Sequence, residues 1–238
     1  MNTLIRENLI AALEALANPQ KARDLTRFFK TGAGEYGAGD KFLGIMVPLQ
    51  REVAKKYQNL KLEDIQVILR SEYHEFRLTG LLILVEKFEK GDAKTQKAIY
   101  KFYLKNLKHI NNWDLVDVTT PKIVGAYLAD KPLERKILYT LAKSRDLWKR
   151  RVAIVATSAF IRRNDFADTL KISQILLGDK HDLVHKAVGW MLREVGKKNQ
   201  QIEEVFLLKH CCKMPRTMLR YAIEKFEEKK RKGYLKKK

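Results

Sequence analysis

The chain is short of the residues that define several other protein classes. Cysteine occurs only twice in 238 residues, as the adjacent pair Cys211 and Cys212. Neighbours in one helix are badly placed for a disulfide, which argues against a cross-linked secreted scaffold and for a reducing compartment. Both are read as packing residues. Proline (5) and glycine (12) are sparse and fall at breaks between apolar segments, so little supports strands. No apolar run approaches the roughly 20 residues needed to span a bilayer. The opening Met-Asn-Thr-Leu-Ile-Arg-Glu lacks the basic-then-apolar layout of a signal peptide. A cytoplasmic protein with no membrane partner is expected. Acid is in deficit too: 28 acidic against 48 basic residues give a formal charge of +20. Because that excess is spread along the chain, it implies an extended anionic partner such as nucleic acid.

What is present is helical periodicity. With 45% apolar residues the chain can bury a sizeable core, and the i, i+3, i+4 spacing predicts helices over 3–17, 20–30, 48–58, 62–71, 73–89, 93–106, 112–129 with a break at Pro121, 132–144, 147–163, 166–177, 181–198, 200–212 and 214–231. Pro48 and Pro132 sit near first-turn positions, and Asn112, Asp146 and Asp182 are candidate caps. Residues 31–41 read as irregular. One helical domain over 1–228 with a frayed basic tail over 229–238 is expected.

Helix pairs recur with a period in the mid-thirties. The register positions Asp117, Arg151, Lys186 and Arg220 are 34, 35 and 34 residues apart, which predicts an all-α, HEAT-like helical repeat solenoid with a concave basic groove. At 100° per residue, Val184, Ala187, Val188, Met191 and Val195 form one apolar stripe, with Lys186, Trp190, Arg193 and Lys197 opposite. In the helix from 112, Leu115, Val118 and Thr119 are placed inward, and Trp113 and Asp117 outward. Arg151 falls opposite Val152, Ala153, Ala156 and Phe160, and Arg216 and Arg220 fall opposite Met218, Tyr221 and Ala222. Trp148 reads as core filling.

A row of cations suits a phosphate backbone, since each neutralised phosphate releases condensed counterion. Exposed indoles among cations can stack on bases or lie against sugar. A carboxylate there repels phosphate, so Asp117 needs another role. It can stabilise the oxocarbenium-like sugar formed as a glycosidic bond breaks and orient the attacking water, or it can be a surface Asp paired with an Arg. On the residue pattern alone these two readings stand level.

Asn111-Asn-Trp-Asp-Leu-Val-Asp117, Asp146-Leu-Trp-Lys-Arg-Arg-Val-Ala-Ile-Val155, His185-Lys-Ala-Val-Gly-Trp-Met-Leu-Arg-Glu194 and Phe42-Leu-Gly-Ile-Met-Val-Pro48 resemble the AlkD-type DNA alkylation-repair glycosylases, from about the helix at 20 to the helix at 214. The resemblance implies a HEAT-like fold and excision of cationic bases, 3-alkyladenine and 7-alkylguanine, from duplex DNA. Matched position by position, Trp113 and Trp190 correspond to the family's sugar-contacting tryptophans, Asp117 to its catalytic carboxylate and Arg151 to its phosphate-binding arginine. Lys186, Arg193, Arg216, Arg220 and Arg51 complete the expected DNA-binding set. The implied enzyme is a monofunctional glycosylase that leaves an abasic site, acts as a monomer and uses no cofactor or metal. The lesion's own charge makes it leave without a general acid, and the base stays in the stack. In better-studied members the loop after Leu-Gly-Ile carries polar residues, whereas this chain has Met46 and Val47 with Arg51 following. The alternative is a noncatalytic module of the same fold that binds DNA structure or serves as a scaffold.

Other matches fail on context. Gly32-Ala-Gly-Glu-Tyr-Gly37 spells a dinucleotide fingerprint but follows a helix where a strand is needed. Gly34 to Lys41 nearly spells a P-loop, yet Phe42 replaces the magnesium-holding hydroxyl. His181 and His185 lie one turn apart with no third metal ligand at a convincing spacing.

Overall fold

A computed structural model describes residues 2–236, with side chains from Leu4 onward. The chain divides into two compact units, the first ending at Thr119 and the second beginning at Thr120. No strand occurs among the described residues; an isolated bridge pairs Lys41 with Tyr73. Nor is any described helix long and apolar enough to cross a membrane.

The first unit contains α1 (Asn2–Glu14), α2 (Pro19–Phe28), α3 (Val47–Lys56), α4 (Leu62–Leu69), α5 (His74–Lys90), α6 (Ala93–Lys105) and all but the last residue of α7 (Trp113–Thr120). Its axis is α5, buried from His74 to Val85, against which α3, α4 and α6 pack. A helix buried all round needs an apolar surface on every side, and Leu78, Leu81, Ile83 and Leu84 supply it with almost no exposure. Burial of each such side chain contributes roughly 1.5–3 kcal/mol. By contrast, α2 has no buried residue.

In the second unit a π-helical turn at Pro121–Gly125 precedes α8 (Ala126–Ala129), α9 (Lys136–Ala142), α10 (Leu147–Ala156), α11 (Ser158–Arg162), α12 (Ala167–Ile175), α13 (Asp182–Lys198), α14 (Gln200–His210), α15 (Arg216–Ala222) and α16 (Glu228–Lys236). α10 packs on α13 and α13 on α15, so Arg151, Lys186 and Arg220 lie on successive packed helices, as the 34–35 residue spacing predicts. Gly189 lets α13 approach closely: a Cβ there would lie 2.4 Å from the Met218 carbonyl oxygen.

Several expectations are corrected. The span 147–163 is interrupted at Thr157, whose hydroxyl bonds the Ile154 carbonyl. The span 214–231 breaks into a 3-10 turn at Ile223–Lys225. The basic end is not frayed: α16 is helical and buries Tyr234 against Phe226, with ring centroids 5.7 Å apart. Lys237 and Lys238 lie outside the described residues. His181, not Asp182, caps α13, its Nδ1 accepting from the Leu183 N–H. Cys211 is buried but Cys212 is exposed.

Candidate active site

The first unit places Trp113 and Asp117 one turn apart on α7, hence on one face, and both are half-buried. Leu115 and Thr119 are buried, as the periodicity predicts, but Val116 takes the inward position assigned to Val118, which is half-buried. Thr119 is held by the Tyr103 hydroxyl at 2.8 Å.

Trp113 does not project freely. Its indole stacks on Phe29 (centroids 5.4 Å, planes 21° apart) and meets the edge of Phe28 at 6.0 Å. Phe29 stacks in turn on Phe42 at 5.1 Å, so the indole rests on a column of rings. Phe28, by contrast, is 62% exposed.

Behind that column lies a polar network that periodicity does not reveal. His74 Nε2 is 2.7 Å from Asp114 Oδ2, and its Nδ1 is 3.2 Å from Asp40 Oδ2. Arg77 donates to Asp40 at 2.7 Å and Asn112 donates to it at 3.2 Å. Burial works against a charge on His74, but the Asp114 and Asp40 carboxylates outweigh it and lift the imidazole to about 9. Burial likewise opposes ionisation of Asp40, and the His74 hydrogen bond and Arg77 charge overcome it, holding that carboxyl below its ordinary value. The one sequence signal is the cluster His74, Glu75 and Arg77 at the start of a helix whose middle, Leu78 to Val85, is almost wholly apolar.

Glu75 secures the neighbouring loop. Its carboxylate accepts from the N–H groups of Leu43, Gly44 and Ile45 at 3.0, 2.8 and 3.2 Å. Such convergence needs Gly44 in the left-handed region, at φ +82. Any side chain there would also strike the Asn18 carbonyl, a Cβ lying 2.2 Å from it. The Phe-Leu-Gly-Ile motif is therefore a fastening between α5 and the start of α2. Met46 is exposed beyond it, and Arg51 is exposed on α3.

In the second unit Trp190 is half-buried and lines a cleft of about 440 Å³ with Ser158, Arg162, Glu194, Lys197 and Lys198. Arg162 and Lys198 were not anticipated. The stripe Val184, Ala187, Val188, Met191 and Val195 is fully buried, as expected. The cations are less uniform than the sequence suggests. Arg151 is only 5% exposed, contrary to its expected place on an open face, and donates to the Leu183 carbonyl; α10 is buried from Arg151 to Ala156. Arg193 is engaged by Glu224, and by Glu194 at 3.6 Å. Lys186 pairs with Asp182 at 2.7 Å. Arg216 is exposed and donates to the Leu235 carbonyl at 2.7 Å, and Arg220 is exposed. Trp148, expected in the core, is half-buried.

These features define an all-helical protein with a ring-braced indole one helical turn from a carboxylate in one unit and an indole-walled basic cleft in the other. The family described as DNA alkylation repair enzyme matches residues 9–226, and the chain belongs to that family. The fold is shared with a solved structure titled "Predicted DNA alkylation repair enzyme from Enterococcus faecalis", at a TM-score of 0.71 and 18% identity, covering 89% of this chain and 97% of that one. No curated protein matches.

Proposed function

We propose that the protein is a monofunctional DNA glycosylase that hydrolyses the N-glycosidic bond of positively charged alkylated bases, 3-alkyladenine and 7-alkylguanine, in duplex DNA. The observation that carries this reading is the Trp113–Asp117 pair: a half-buried carboxylate one helical turn from an indole braced on Phe29, in a chain of net charge +20. A carboxylate on a DNA-binding face costs affinity for phosphate, so its value is chemical. As the glycosidic bond breaks, positive charge grows on the deoxyribose. Asp117 opposes it with negative charge and orients water for attack at the anomeric carbon. The electron-rich face of an indole, Trp113 beside Asp117 or Trp190 in the second unit, favours such a cation when laid against the sugar. The alkylated base departs with the bonding electron pair, which neutralises its ring charge, and water supplies the hydroxyl of the abasic site.

In this reading Arg51, Lys186, Arg216 and Arg220 contact phosphates. Arg151, Arg193 and Lys186 do so only by giving up the Leu183 carbonyl, Glu224 and Asp182 respectively. The chain is read as a HEAT-like repeat domain over 1–228, acting as a cytoplasmic monomer without a cofactor.

The test is incubation with duplex DNA carrying 7-methylguanine, followed by chromatography of released base. Release well above the spontaneous rate, abolished by Asp117→Asn with DNA affinity kept or raised, is expected. No release above background from the wild-type protein, with DNA still bound, would assign it to noncatalytic DNA binding or scaffolding instead. Equal loss of release and affinity in Asp117→Asn would remove the carboxylate from the chemistry.

A further inference from the structure

The second unit carries a cleft that the base-release reading does not use. α12 and α14 both pack on α13, and a trough of about 600 Å³ lies between them. Its floor is Leu170, Ile202, Val205 and Phe206, flanked by Lys171 and Lys209. Val205 is 49% exposed, and Leu208, one turn further along α14, is 63% exposed. Apolar side chains grouped this way on a charged surface mark an interaction site more often than chance exposure does.

Charge identifies the occupant. Several cations of the second unit are answered locally, Arg193 by Glu224, Lys197 by Glu194, Lys230 by Glu204 and Arg150 by Asp179, whereas no acidic residue lines the trough. Lys171, Lys209 and Lys213 have no ion-pair partner among the described residues. His210, tilted against Phe206 with ring centroids 4.6 Å apart, registers this field: burial, then Lys213 and Lys209, push its pKa down. The trough is thus an apolar floor between uncompensated cations. Nucleic acid suits it poorly, because single strands need open aromatic faces, whereas Phe206 is buried and already in contact with His210. A second copy would bring another chain of net charge +20 against the same lysines.

We infer that the α12–α14 trough is a docking site for an acidic amphipathic helix of a partner protein. α14 has 11 residues, about 16 Å at 1.5 Å per residue, enough to seat roughly three turns of a guest helix. Apolar side chains at i, i+3 or i+4 and i+7 fill the floor, and carboxylates along both edges meet Lys171 and Lys209. The inference goes beyond the base-release reading and stands or falls separately from it.

The experiment is fluorescence anisotropy on the full chain with two synthetic labelled helices, identical in their leucine stripe and carrying either Glu or Lys on the flanks. The Glu peptide binds and the Lys peptide does not. Val205→Asp weakens the Glu peptide roughly tenfold or more, and the Lys171→Glu/Lys209→Glu double variant reverses the preference; circular dichroism melts check that both remain folded. Equal affinity for the two peptides, or affinity indifferent to both variants, overturns the proposal. So does displacement of the Glu peptide by a single-stranded oligonucleotide, which would give the trough to nucleic acid. A concentration-dependent dimer that Val205→Asp dissolves in sedimentation would give it to a second copy and overturns the proposal equally.

Discussion

His74 stands between two carboxylates, with Asp114 2.7 Å from one ring nitrogen and Asp40 3.2 Å from the other. Both nitrogens must donate to satisfy both acceptors, so the geometry itself selects the imidazolium.

The folded-state pKa of about 9 lies above the unfolded value near 6.5. Between those values the native chain binds the extra proton, so stability falls as pH rises. The stabilisation, on the order of 3 kcal/mol, is fully present below about pH 6.5 and lost as pH passes 9. Urea unfolding from pH 6 to 10 should show this decline in the wild-type protein and lose it in His74→Gln. Parallel profiles for the two would mean that His74 is neutral in the native state.

Glu203 supplies an independent test in the second unit. Burial first, and Glu204 second, raise its carboxyl to about 8, and the carboxyl sits where a Cβ on Gly196 would collide with it. The native state therefore holds a proton that the unfolded chain releases above about 4.5, and stability falls as pH rises from there to 8. Glu203→Gln removes this slope and should be a few kcal/mol more stable than wild type near pH 9. A variant no more stable at pH 9 than at pH 5, relative to wild type, would contradict a protonated Glu203.

Trp113 should depend on its support. Phe29→Ala opens a void beneath the indole and should cost about 3 kcal/mol of stability, with base release falling in parallel with Trp113→Ala. Phe28→Ser, at an exposed ring, should leave stability within about 0.5 kcal/mol. If Phe29→Ala destabilised the protein yet released base at the wild-type rate, the column of rings would be packing alone.

Phosphate contacts can be sorted by salt. If Arg216 and Arg220 each neutralise a phosphate, replacing either with Ala lowers the slope of log affinity against log salt by about one. Arg193→Ala should change it little, because Glu224 and Glu194 already answer that charge. A full unit lost at Arg193 would show that the ion pair opens on binding.

Fold class and the core of α13 were legible in the sequence because periodicity reports burial directly: Val184, Ala187, Val188, Met191 and Val195 are all inside. Arg151 was misplaced for a physical reason. α10 is buried on nearly every side, and a single-face reading cannot foresee a guanidinium that reaches the Leu183 carbonyl across 32 residues. His74 and Asp40, and the bond that Asn112, named only as a cap, makes to Asp40, were missed because these partners are 34 to 72 residues apart, beyond any local spacing. The cations at Arg193 and Lys186 were visible as charges, while the acids that engage them were not assigned.

α2 contributes no buried side chain. It is tied to the first unit at its ends, by the Asn18 N–H on the Leu43 carbonyl at 2.8 Å and by Phe29 beneath Trp113. Its hold is thus concentrated in Phe29, and any local opening of α2 would withdraw the shelf from under the indole. Warming should then lower base release together with a ten-residue share of the helical dichroism, ahead of the main unfolding transition, and both should return on cooling.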